Sequence, residues 1–201
     1  MGKYKKDLVV SRKDALAKEA LRKRYHPAKV TLLFIGEAPP ASGRFFYEAN
    51  SGLYRAIRST FVKAIPSLAG GDFLKFFQNL GCYLVDLCNR PVDHLGAAER
   101  RRVCLDGEVR LARMFRHLNP MIVVTVVRSI VPNVECAQKQ ARWQGTHLKL
   151  PYPGRWQHHR IEFQKALVPI LRKELVNHGT IFFAKAQLHH LDSRAPNLVL
   201  N

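Results

Sequence analysis

The chain has 201 residues, 47% of them apolar and 24% charged, which suits one ordinary globular domain with a core of its own. Its 33 Lys and Arg against 15 Asp and Glu leave a formal charge of +18, so polyanions are the favoured partners, nucleic acid before an anionic membrane surface. No stretch approaches the ~20 apolar residues of a membrane span, no apolar signal core opens the chain, and four cysteines are too few for a secreted disulfide framework, so a reducing cytoplasm is the expected location (the nucleoid, if the source is bacterial).

Residues 11–25 read as a basic helix, N-capped by Ser11, with Leu16, Ala20 and Leu21 on one side and Pro27 as its stop. The apolar run VTLLFIG at 30–36 has the pattern of a strand buried on both faces. After the loop GEAPPASG, Leu53, Ile57, Phe61 and Ile65 recur at helical spacing until Gly70–Gly71 breaks the segment. CYLVDL at 82–87 predicts a second buried strand, and a helix follows from about Ala98 to Leu118, carrying Val103, Val109, Ala112 and Phe115. Asn119–Pro120 separates it from MIVVTVV, a third strand. Ser129–Lys139 predicts a short helix with Pro132 in its first turn, and THLKLP at 146–151 a fourth strand. Gln157–Val176 predicts a helix bearing Ile161, Phe163, Leu167, Ile170 and Leu171, kinked at Pro169, and TIFFAKA an added strand. The chain thus divides into a basic N-terminal segment (1–29), a main domain (30–178) and an extension (179–201).

Strands alternating with helices predict an α/β fold, a three-layer α/β/α sandwich around a central, mostly parallel four-stranded sheet. Ligands of such sheets bind beyond the carboxyl ends of the strands. Both proline-bearing loops, GEAPP and LPYPGR, fall there, which places Glu37 at the mouth of a buried strand. Taken alone, a carboxylate in that position caps a helix or pairs with a neighbouring Arg. The doublets His158–His159 and His189–His190 lack the i, i+4 spacing of a helical zinc pair and read as surface or DNA-facing residues. The run ERRRVC at 99–104 offers phosphate contacts, although most charge runs are solvated faces.

At these loops the chain resembles the uracil-DNA glycosylase superfamily. GEAPP is similar to the first motif of the branch that usually carries an iron–sulfur cluster. GRFFYEANSGLYRAI resembles that branch's Gly-Arg-Pro-Phe segment and the helix after it, YLVDLCNRP its strand ending in Cys-Arg-Pro, and LNPMIVVTVVRSIV its Pro-x-x-Ile-Val segment. LPYPGRWQHHRIEF occupies the place of the second motif, His-Pro-Ser. The likeness runs in order from about residue 30 to 175. It implies a DNA glycosylase of base-excision repair, which flips a deaminated or damaged base out of the stack and hydrolyses its N-glycosidic bond. DNA is the implied partner, the protein acting as a monomer away from membranes, and the chemistry requires no metal or organic cofactor.

As such a bond breaks, the sugar becomes cation-like and the base anionic. The resemblance casts Glu37 as the carboxylate facing the sugar, Gly36, Ala38 and Pro39 as the loop around the base, and Phe46 as the ring stacked on it. Asp86 falls where the family has an Asn that reads the base edge. An ionised Asp only accepts hydrogen bonds and so favours an N–H or amino group over the O4 of uracil. Asn89 could supply the amide instead, and Asp86 could equally cap the strand end. The second-motif His aligns with Leu150, which cannot donate, leaving the anion to loop amides, Arg155 or His158. Arg44, Tyr152, Gly154, Arg155 and Trp156 are the expected DNA contacts, with Arg155 and Trp156 as a wedge. Cys88 and Cys104 are similar in spacing to the downstream pair of cluster ligands and would be the first candidates to hold one. No cysteine precedes Cys82, however, and four thiolates are the usual requirement, so no cluster is expected. Two rivals stand beside the glycosylase: a nucleic-acid-binding protein that kept the fold and lost catalysis, which Leu150 supports, and an enzyme of free nucleosides, which leaves the charge unexplained.

Overall fold

The computed structural model describes residues 2–176. Among the described residues three short apolar runs and the mixed segment THLK become strands, Leu32–Gly36 (β1), Cys82–Asp86 (β2), Ile122–Thr125 (β3) and Thr146–Lys149 (β4). They form one parallel sheet in the order β2-β1-β3-β4. All of β1 and β3 is buried, as is β2 up to Val85, while β4 is an edge with exposed ends. Continuous burial of a parallel strand requires cover on both faces.

Among the described residues six helices flank the sheet: Gly2–Arg24 (α1), Gly52–Ala64 (α2), Phe73–Asn79 (α3), Ala97–Leu118 (α4), Val131–Ala141 (α5) and Gln157–Leu171 (α6). The crossover from β1 to β2 travels one way along the sheet, and those from β2 to β3 and β3 to β4 travel the other. Right-handed connections then set α2 and α3 on one face and α4 and α5 on the opposite face. The packing agrees, α2 against α6 and α4 against α5, giving a three-layer α/β/α sandwich. The direction of travel reverses between β1 and β3, and a crevice opens there beyond the strand ends.

Several elements depart from the sequence reading. Ser11 is no N-cap, because α1 runs unbroken from Gly2, and the helix ends at Arg24, three residues ahead of Pro27. Of the side expected to be apolar, Leu21 packs partly buried against the core, but Leu16 is 63% exposed, Ala20 is exposed, and Lys18 is buried. Helix α3 was not expected from the sequence. Its signal is Asp72, whose carboxylate accepts from the amides of Leu74 and Lys75 and so caps a short turn of buried Phe73, Leu74, Phe76 and Phe77. Val109 and Ile161 face solvent; the inner face of α4 is Val103, Cys104, Gly107, Glu108, Leu111, Ala112 and Phe115. Helix α6 runs through Pro169 and widens into a π turn at Arg172–Val176. The strand expected from TIFFAKA and the 179–201 extension lie outside the described residues. Within the described residues, no helix is long and apolar enough to cross a membrane.

One side chain repairs the open edge of β2. The Tyr47 hydroxyl donates to the Leu84 carbonyl at 3.0 Å and accepts from the Leu84 amide at 2.8 Å. Among the described residues no strand pairs with that edge of β2, and the hydroxyl takes the place of one; burial raises its pKa well above the ordinary range.

Candidate functional site

The chain leaves β1 and β2 side by side and stays paired two residues further, Leu87 N–H to Gly36 O at 2.9 Å and Cys88 N–H to Glu37 O at 2.8 Å. That pairing holds the Glu37 backbone at the strand mouth. Gly36 and Asp86 are register partners, and a Cβ on Gly36 would lie 2.5 Å from Asp86 Oδ1. A larger residue there would push the Asp86 carboxylate from its place. The proline loop is then tied down at Ala41, whose amide donates to Asp93 Oδ2 at 3.0 Å.

These loops enclose a cavity of about 330 Å³ at the reversal between β1 and β3. Gly36, Glu37, Ala38, Pro39, Phe45, Phe46 and Asp86 line it from the β1 and β2 side, Val126 and Val127 from β3, and Tyr152 from the loop after β4. Glu37 and the 150–156 loop therefore share one cleft, through Tyr152. Phe46 is only 3% exposed, held tilted on Phe77 at 5.2 Å and edge-on to Tyr47 and Tyr54. The ring is a fixed wall of the cavity as well as part of the core, and Phe45 and Tyr47 are buried beside it.

Arg100, from the first turns of α4, decides the electrostatics. Its Nε donates to Glu37 Oε1 at 2.6 Å and its Nη2 to Oε2. The pairing raises the Arg100 pKa above its ordinary value. Among the described residues Arg100 is the single cation lining the cavity, against Glu37, Asp86 and Asp93. An acceptor-rich hollow thus sits inside a chain of charge +18. Burial raises the Asp86 carboxyl to about 6, opposed by the charges of Arg22 and Arg110.

Asp86 also lines a second cavity, of about 420 Å³, together with Pro39, Phe45, Cys88, Asn89, Arg90 and Arg110. Its far wall is α1, through Asp14, Leu16, Lys18, Glu19 and Arg22. The basic N-terminal segment is thus joined to the main domain, with Tyr25 stacked on Tyr47 at 5.6 Å and Gln78 donating to the Arg24 and His26 carbonyls. Asn89 belongs to this second hollow and not to the one that holds Glu37, so of the two residues proposed to read a base only Asp86 stands beside Glu37.

The structure does not bring Arg155 or His158 to the Glu37 cavity. Leu150 is buried in the core, its amide donating to Thr125 O at 2.9 Å; of the following turn Pro151 and Pro153 are buried and Tyr152, partly exposed, reaches the cavity wall. The Gly154 carbonyl would lie 3.0 Å from a Cβ on Gly52, so the loop backbone abuts the start of α2. Beyond that contact Arg155 and Trp156 are exposed, the guanidinium 4.9 Å from the indole centroid, and His158 is exposed against His159. Arg44 is exposed too, outside the cavity. The sequence marks Arg100 only as one of the basic run at 99–104, and no local pattern makes it the partner of Glu37.

No protein-family model matches the chain, and no curated protein matches it. The residues present also do not fit an iron–sulfur cluster. Cys88 and Cys104 are neighbours, Sγ to Sγ 3.7 Å, but Cys82 lies at the opposite end of β2 and Cys136 on α5 beside Gln140. Among the described residues no group of three or more His, Cys, Asp or Glu is placed to hold a metal ion.

Proposed function

We propose that the chain is a DNA glycosylase of the uracil-DNA glycosylase type, acting on a deaminated or damaged base in base-excision repair. One observation carries the reading: Glu37, Phe46 and Asp86 line a single cavity at the reversal point of a parallel sheet, in a chain of charge +18. The excess positive charge supplies the attraction for a polyanion, and the cavity is of a size for a small ring. An extruded base lies against Phe46 with its edge toward Asp86. An ionised Asp86 accepts, so it favours a base presenting an N–H or amino group.

In this mechanism the Glu37 carboxylate faces the sugar and stabilises the positive charge that grows as the glycosidic bond lengthens. The anion on the departing base needs a donor, and Leu150 supplies none. Arg100 is the cation at hand, already lining the cavity, and we assign it that role in place of Arg155 and His158. Tyr152 closes the opposite wall, while Arg155 and Trp156 are free to meet the strand outside.

A second reading draws on the same ion pair. A carboxylate engaged at both oxygens by a guanidinium has part of its charge neutralised, which favours a nucleic-acid-binding protein that kept the cavity and lost catalysis. The deciding experiment incubates the protein with oligonucleotides carrying uracil, hypoxanthine, xanthine or a mismatch and cleaves abasic sites with alkali. The glycosylase yields strand cuts that fall by about 10²-fold or more in Glu37→Gln. Tight binding with no cuts on any member of the panel supports the second reading instead.

A further inference from the structure

We propose that Cys88 and Cys104 are a modification site, an oxidisable pair that closes to an intramolecular disulfide and thereby acts on Glu37. The two sulfurs are 3.7 Å apart and buried, and a bond of about 2.05 Å needs them to approach by only about 1.6 Å. Their neighbourhood is fixed by close backbone packing: a Cβ on Gly107 would run into the Leu87 carbonyl, so α4 lies directly against the chain beside Cys88. Cys82 and Cys136 have no thiol in comparable reach among the described residues.

Both cysteines also touch the candidate site. The Cys88 amide donates to the Glu37 carbonyl, and the Cys104 Sγ lies 4.0 Å from Glu37 Oε1. Arg100 is one turn before Cys104 on the same helix. Drawing Cys104 toward Cys88 therefore withdraws a neighbour from Glu37 and pulls on the turn that carries its guanidinium partner. Cys88 lines the 420 Å³ cavity, which gives a small oxidant a way in.

A hydroperoxide is the co-reactant that the chemistry requires. One sulfur, as thiolate, attacks a peroxide oxygen; the O–O bond breaks, leaving a sulfenic acid and, after proton transfer, water. The second thiol attacks that sulfur, the S–O bond breaks, and a second water leaves. Two thiols lose two electrons and two protons, and one hydrogen peroxide becomes two waters. Burial raises both thiols, Cys88 to about 12, so thiolate is scarce at neutral pH and closure is slow.

The test uses the full chain, reduced and then exposed to hydrogen peroxide, denatured and alkylated. Alkylated cysteines should fall from four to two, with a linked peptide pair containing Cys88 and Cys104, and return to four with dithiothreitol. Four labels after peroxide, or a linkage through any other cysteine, overturns the site. The effect on Glu37 is read from the Arg100 Nε–H resonance in a ¹⁵N spectrum, which should shift on oxidation in the wild type and stay in place in Cys104→Ser. An unmoved resonance in a protein with the disulfide formed overturns the link to Glu37. Neither readout depends on the glycosylase reading.

Discussion

Glu37 and Arg100 stand 63 residues apart in sequence and meet through both carboxylate oxygens, Glu37 13% exposed and Arg100 43% exposed at their side chains. A two-point guanidinium contact is stronger than a single ion pair, but half-exposure of Arg100 and salt both weaken it. Arg100→Ala should cost about 1 kcal/mol in urea unfolding. Arg100→Lys should recover less than half of that, because an ammonium cannot span two oxygens. Full recovery by lysine would mean that charge alone matters here.

Asp86 makes stability depend on pH in a direction opposite to most carboxylates. Its folded value is about 6, above the ~3.9 of an unfolded Asp. Between the two the unfolded chain releases its proton while the folded chain keeps it, so folding loses stability as pH rises from about 4 to 6. The cost remains above pH 6 and vanishes below about 4. Asp86→Asn should therefore be the more stable protein at pH 7.5, by about 3 kcal/mol, and should converge on the wild type below about pH 4. Denaturant midpoints at the two pH values check it. On the glycosylase reading the same variant should shift base preference toward uracil.

Tyr47→Phe should cost about 2 kcal/mol, a large effect for one oxygen. The hydroxyl serves both the amide and the carbonyl of Leu84, and its loss leaves two buried groups on the edge of β2 unpaired. Hydrogen exchange at the Leu84 amide should quicken in parallel. An unchanged exchange rate would mean that water takes the place of the hydroxyl.

Leu150→His should not create an enzyme with a restored donor. Leu150 is 6% exposed within the core and does not line the Glu37 cavity. A buried imidazole there should lower stability by about 2 kcal/mol or more with no gain in strand cutting. A rise in cleavage with this variant would show that position 150 reaches the base after all.

Binding to an oligonucleotide, followed by fluorescence anisotropy, should weaken at least about tenfold between 50 and 200 mM salt if several phosphates are neutralised. Arg155→Ala and Arg44→Ala should each reduce that slope by about one counterion without altering base preference. A flat salt response would instead suit a small uncharged nucleoside as the substrate.

Local pattern was enough to lay out the sheet. Runs such as LLFIG and IVVT admit little but a strand buried on both faces, and helical spacing between them leaves a parallel order as the economical solution. The same order put Glu37 at a strand mouth, because a residue's place after a strand is a one-dimensional fact. Where packing decides, the sequence was silent or misleading. Val109 and Leu16 fit an apolar stripe on spacing and yet face solvent, since the rotation of a helix about its axis is set by the surfaces it meets. Nothing near Arg100 distinguishes it from Arg101 and Arg102; the pitch of α4 over the end of β2 chooses it for Glu37, and brings Cys104 to Cys88 by the same placement. Arg155 and His158 follow a motif position and are carried outward by the backbone contact between Gly154 and Gly52. Sequence alone determined the strands, the charge and the carboxylate at the rim, because each follows from neighbours along the chain. The tertiary structure decided which groups face that carboxylate, because contacts across 16 to 63 residues depend on how whole helices are seated on the sheet.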